Sequence, residues 1–323
     1  SYRANASKFK LETQSTFRLD SRNSILIGAE TEVEKFDSES FFQDAFFTFV
    51  DTVAEVSART SSLYVLNQLS LTNRWFTTIG ARYDNMESND EAFTYRVTSA
   101  YLLPEIGLTL KANYGTGFKN PSLFQLFHRL YGNPELKAEE SQSWEVGLQK
   151  DFGKTGIELG VTYFDTKFKN LIASDPITFL PVNIRTATSN GVELTGRVST
   201  SKTTARFNYT YTNMKNTSDD TPILRRPKSK FSLSAGQQAS KDINIGGRVL
   251  YVGERNDFDF RPFPAELLSL SRYVVVDVRF DYSVTQSVKL KAGVVNILDQ
   301  DYQEVLTYGV SGRALNFGAK LTL

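Results

Sequence analysis

Apolar and polar residues alternate one by one along most of this chain, the period of a strand whose two faces meet different surroundings. From Ala205 to Thr212 one face reads Ala, Phe, Tyr, Tyr and the other Arg, Asn, Thr, Thr. Near the end of the chain Leu315, Phe317, Ala319, Leu321 and Leu323 alternate with Asn316, Gly318, Lys320 and Thr322. Between Tyr273 and Tyr282 the apolar face is Val274, Val276, Val278, Phe280 and Tyr282, and the opposite one carries Asp277, Arg279 and Asp281. The same pattern recurs at Leu108/Leu110/Ala112/Tyr114, Trp144/Val146/Leu148, Ile157/Leu159/Val161/Tyr163 and Val288/Leu290/Ala292/Val294. It predicts an all-β chain of about fifteen antiparallel strands, each near the ~9–11 residues that cross a bilayer at a tilt.

Such alternation suits a soluble sandwich, whose apolar face meets a core, or a transmembrane β-barrel, whose apolar face meets lipid around a wet lumen. Full charges on the polar face (Lys111, Glu145, Glu158, Glu193, Arg197, Arg206, Arg248, Arg279, Lys289, Lys291) favour the barrel. So do aromatics near strand ends, such as Phe93, Tyr95, Tyr114, Phe118, Tyr163 and Phe168, which resemble an interfacial girdle. The connections decide it. Tight turns are expected at Asp20–Asn23, Leu71–Arg74, Pro104–Gly107, Gly153–Gly156, Ser201–Thr203, Ser240–Asn244 and Thr285–Ser287. They take turns with longer segments at Asp37–Val56, Glu87–Glu91, Lys119–Glu140, Asp175–Pro181, Asn216–Arg226, Asp257–Ser271 and Gln300–Gly312. Outer-membrane barrels have that asymmetry, and a sandwich has no reason for it.

Composition narrows the function. The 37 basic and 36 acidic residues give a net charge of +1, which offers no electrostatic case for binding nucleic acid. No Cys and one His exclude disulfide scaffolds, iron–sulfur ligation, thiol catalysis and imidazole-built zinc sites. A mean hydropathy of −0.31, with no apolar run near the ~18 residues a helix needs, excludes a helical membrane protein and leaves a barrel open. The first six residues, Ser1 to Ala6, show no basic region followed by an apolar stretch, so no signal peptide is expected there. On that pattern the chain is cytoplasmic, already processed, or part of something longer.

Several segments, in order, resemble the C-terminal barrel of TonB-dependent outer-membrane receptors. They are Tyr114–Leu123, Gly132-Asn133-Pro134-Glu135-Leu136-Lys137-Ala138-Glu139, Trp144–Gly147, Asn190–Leu194, Asn296–Tyr302 and Gly312-Arg313. Within the family, Asp220–Lys228, Tyr251–Arg255 and Asp301–Val305 are most similar to the cobalamin (vitamin B12) receptors, and siderophore receptors share parts of all three. The resemblance implies an antiparallel barrel of about 22 strands around an N-terminal plug. This chain, residues 1–323, then supplies about fifteen strands as a partial barrel without plug or first strands. It further implies a monomeric barrel in the lipid of a Gram-negative outer membrane, cobalamin or a ferric siderophore as ligand, and energy coupling to a TonB complex through the absent plug. No cofactor is implied.

The expected ligand-binding residues lie in the long segments. Arg225 and Arg226 offer planar donor forks to a large polar ligand, or simply line a wet mouth; the resemblance places a ligand-contacting arginine at Arg225. In the loop after Tyr114, Tyr131 and His128 are contact candidates, while Phe124 and Phe127 are expected to anchor that loop. Tyr251, Arg255 and Phe258, with Asp257 and Phe260, read equally as binding residues or a mobile apolar loop. The acidic pairs Asp219/Asp220, Asp257/Asp259 and Asp299/Asp301 are expected as solvated loops or turns, since calcium needs about six to eight oxygens. His128 raises an outer-membrane hydrolase, but no nucleophile signature accompanies it. A passive channel is the remaining alternative from another class.

Overall fold

The structure, a computed structural model, describes residues 2–43, 48–87, 91–175, 177–178, 180–218 and 223–322. Its strands in chain order are β1 (Tyr2–Arg18), β2 (Asn23–Gln43), β3 (Thr48–Ser70), β4 (Trp75–Met86), β5 (Glu91–Leu103) and β6 (Leu108–Lys119). There follow β7 (Glu139–Asp151), β8 (Ile157–Ser174), β9 (Pro181–Ser199), β10 (Thr203–Asn216), β11 (Ser229–Gln238) and β12 (Ile243–Val252). The last are β13 (Arg255–Asp259), β14 (Glu266–Leu270), β15 (Tyr273–Ser283), β16 (Val288–Val295) and β17 (Ala314–Leu321). Among the described residues fifteen strands form one sheet in the order β1 to β12, β15, β16, β17, and β13 pairs with β14 as a separate hairpin. Every pairing is antiparallel. Within these residues β1 pairs only with β2 and β17 only with β16, so the sheet has two free edges.

Alternation within strands becomes continuous across them through the register. One apolar lane runs Leu110, Leu148, Val161, Leu194, Tyr209, Phe231, Tyr251, Val274, each opposite the next. A lane on the other face runs Glu158, Arg197, Arg206, Ser234, Arg248, Asp277. Among the described residues no protein layer covers the apolar face: Val146 is 51 % exposed and Phe317 79 %. That is the two-faced wall of a barrel and not half of a sandwich.

The seven expected tight turns all connect successive strands along one rim. Their chemistry repeats: the hydroxyls of Thr72, Thr200, Ser240 and Thr285 each accept the backbone N–H three residues on, closing the turn locally. At Pro104–Ile106 the turn is a short 3₁₀ segment ended by Gly107 at φ 62°, a left-handed conformation glycine adopts without strain.

The opposite rim corrects two expectations. Asp37–Val56, read as an irregular loop, is mostly strand: β2 and β3 run 21 and 23 residues. Pairing continues wherever backbone partners exist, whereas ~9–11 residues measures only the hydrocarbon thickness. Asp257–Ser271, also read as irregular, contains the β13–β14 hairpin.

Buried apolar residues gather at this rim. Phe36, Val53 and Leu123 form one cluster; Val252, Tyr273 and Val275 form the other, with Leu250 and Tyr302 against it. Tyr273 and Val275 lie on the same side of β15 as Asp277, so loop 296–313, which brings Tyr302, folds onto the charged face.

Candidate functional site

On β13 the residues Arg255, Asp257 and Asp259 share one side by the period of two, and all three are buried. Charges there need partners, and three loops supply them. Asp257 is 0 % exposed. Its Oδ1 accepts from Arg225 Nε at 2.9 Å and from the N–H of Phe258 at 3.0 Å, and its Oδ2 accepts from the N–H of Leu306 at 2.9 Å. The segments 223–228, 253–272 and 296–313 therefore meet on one carboxylate. Asp257 and Asp259 were expected as a solvated pair; burial and ion pairing replace that reading. Asp219/Asp220 lie outside the described residues.

Arg225 stands in the left-handed region at φ 59°, its N–H donating to the Asn256 carbonyl at 2.8 Å. With Nε on Asp257, its two terminal nitrogens have no partner among the described residues, and the side chain is partly exposed. It lines a cavity of about 440 Å³ with Phe258, Phe260, Arg261, Leu306 and Tyr308. Arg261 is held by Asp259 at 2.6 Å, and this guanidinium together with the Arg261 N–H lowers the Asp259 carboxyl to about 2. Rings at loop tips and guanidinium donors thus border one hollow.

The other expected site residues are distributed unevenly. Phe258 reaches the cavity with Arg225. Arg255 is buried, and its guanidinium donates to the carbonyls of Gln303, Glu304, Gly253 and Ser271 while lying over the Tyr273 ring at 5.2 Å. Tyr273 in turn stacks on Tyr302 at 4.0 Å. Arg226 is exposed beside Arg225. Tyr251 belongs to the apolar lane, on the face of β12 away from Val252 and its cluster.

His128 and Tyr131 belong to a different loop. There α1 (Leu123–Phe127) starts at Ser122, which shares a reciprocal capping box with Gln125. His128 is buried, its Nδ1 accepting the N–H of Tyr131 at 3.1 Å and of Leu130 at 3.3 Å, with its ring between Phe124 and Tyr131. Tyr131 is exposed. Phe124 packs edge-on against Phe36, yet it and Phe127 are both exposed, and the buried apolar residues of this loop are Leu123 and Leu136.

A larger hollow of about 830 Å³ lies towards the turn rim, lined by Arg197, Arg206, Arg248, Arg279, Lys291 and others. None of these five cations is in an ion pair among the described residues, whereas Lys8, Lys10 and Arg82 at the far side of the sheet all pair with carboxylates.

Sequence reasoning missed Asp257 as a buried hub, and with it Leu306 and Tyr308. The Arg-x-Asp-x-Asp spacing was the available signal, since a charge at every second position marks one face of a strand.

Residues 1–297 match the family described as TonB dependent receptor-like, beta-barrel. Among solved structures, the ferric enterobactin receptor PfeA of Pseudomonas aeruginosa is 20% identical, with a TM-score of 0.79 over 98% of this chain and 54% of that one. The siderophore receptor PirA from Acinetobacter baumannii is 16% identical at 0.79, over 99% and 55%. The copper transporter OprC is 17% identical at 0.80, over 99% and 57%. The chain spans about half the length of these structures.

Proposed function

The chain belongs to the TonB-dependent receptor β-barrel family, and we propose that it supplies the later strands of an outer-membrane receptor for a bulky anionic metal chelate. Members of this family are outer-membrane transporters and not enzymes. The earlier strands and the plug belong, on this reading, to the same receptor, and a TonB complex draws on the plug to release the ligand inward.

One observation carries the ligand class. Arg225, whose terminal nitrogens are unpaired among the described residues, lines a cavity together with Phe258, Phe260 and Tyr308. A planar donor fork suits a carboxylate or catecholate oxygen pair, and rings beside it favour an aromatic chelator. A ferric siderophore fits that combination better than cobalamin. Structures with this fold are described as siderophore and copper carriers, which agrees with a metal-bearing cargo. Part of the segment that carries the cobalamin likeness, residues 220–222, lies outside the described residues. The hydrolase alternative has lost its base: His128 is packed between rings with Nδ1 occupied by two backbone donors.

The test is a titration of the complete receptor with an iron(III) tris-catecholate and, separately, with cobalamin. Saturable binding of the chelate and none of the vitamin supports the proposal; the reverse result restores cobalamin. Uptake that persists after the inner-membrane proton gradient is collapsed would instead indicate a passive channel.

A further inference from the structure

We infer that Asp257 is a positioning residue for Arg225, holding its guanidinium so that the two terminal nitrogens meet the ligand as a preformed fork. This rests on the reading of Arg225 as a ligand contact.

A guanidinium presents three donor nitrogens in one plane. Taking Nε at 2.9 Å, Asp257 removes one donor and fixes the plane, which leaves the opposite edge, Nη1 and Nη2, for two oxygens of an anion. The carboxylate is itself unable to swing: it is fully buried and both of its oxygens are engaged, by Phe258 and Leu306 as well as Arg225. The arginine backbone is gripped too, in a left-handed conformation unusual for a residue with a side chain, through its bond to the Asn256 carbonyl. Such strain persists only where surrounding contacts over-determine it. Both anchors, Asn256 and Asp257, are neighbours on β13. Arg255, two residues earlier, pins the same strand to loop 296–313 through the carbonyls of Gln303 and Glu304. The fork is thus oriented before any ligand arrives, and its ordering cost falls on folding and not on binding.

The experiment is a double-substitution cycle in the complete receptor, titrated with iron(III) tris-catecholate, with heat-modifiable electrophoretic mobility reporting that each variant is folded. Asp257→Asn should weaken binding about tenfold, and by less than about twofold when Arg225 is already Ala, because coupled residues are non-additive. Arg225→Lys should bind no better than Arg225→Ala, since an ammonium paired with Asp257 offers no planar fork. This second variant decides the matter if Asp257→Asn does not fold. Equal losses from Asp257→Asn in both backgrounds, or recovery of affinity by lysine, would overturn the positioning role alone. Undiminished binding in Arg225→Ala, or no binding to the unsubstituted receptor, overturns the ligand reading on which it rests.

Discussion

Asp259 is a carboxylate whose surroundings favour its charged form. Its pKa is lowered to about 2 by the Arg261 side chain and backbone N–H, from an ordinary aspartate value near ~4. A depressed pKa means that the interaction contributes above ~4 and is lost as the pH falls from there through about 2. A carbon-13 NMR titration of labelled aspartate should therefore show one side chain titrating near 2, returning towards 4 in Arg261→Ala; no displaced resonance would refute the pairing. His128 makes a second prediction at this scale. Replacing it with Ala removes the acceptor for two backbone N–H groups, a loss of about 1–3 kcal/mol confined to its loop. The measurement is limited proteolysis, with faster cleavage around residues 129–131 and unchanged sheet protection. Neither residue's environment was legible from sequence. Asp257 and Asp259 look solvated in a polar segment, and only the pairing of β13 with β14 and the approach of loop 296–313 bury them. His128 looks like chemistry, because a lone histidine carries no mark of the backbone donors that surround it.

At the scale of elements the sequence was most legible where a residue's two neighbours had to differ from it. Strands β6 to β12 and β15 to β17 alternate because one face meets an apolar medium and the other charges, and the turns between them carry Gly, Pro, Ser or Thr at fixed places. Legibility failed in β2 and β3 beyond about residue 36, where Ser38 to Phe42 no longer alternate. Backbone pairing needs no alternation of side chains, so the ladder of β2 and β3 persists after the sequence signal for it has faded. Alternation separates two adjacent residues of β7. Val146 lies on the apolar face and Glu145 on the other. Val146→Lys should lower stability by up to about 2–4 kcal/mol, the cost of a charge on a barrel's lipid face, while Glu145→Lys should be tolerated. The folded fraction after insertion of the complete receptor into lipid vesicles measures both, and equal effects would contradict the assignment of faces.

For the molecule as a whole, the two free edges matter most. β1 and β17 present rows of backbone donors and acceptors with no partner among the described residues, and a bilayer core would not tolerate them unpaired. In the complete receptor, amide hydrogens of β1 and β17 should exchange as slowly as those of β8, which is paired on both sides. Fast exchange at the edges would mean the barrel is not closed by further strands. The seven turns described earlier have a different kind of consequence, an immunological one. If the family's orientation holds, antibodies raised against intact cells meet only the opposite rim, where Phe263 and Tyr308 stand out at loop tips. In that orientation turns of three to five residues such as 200–202 and 152–156 would face the interior of the envelope and should go unrecognised until the cell is broken. Variation under immune pressure would then fall on the rim where we propose the ligand binds, setting escape from recognition against the need to keep Asp257, Arg225 and their neighbours in register.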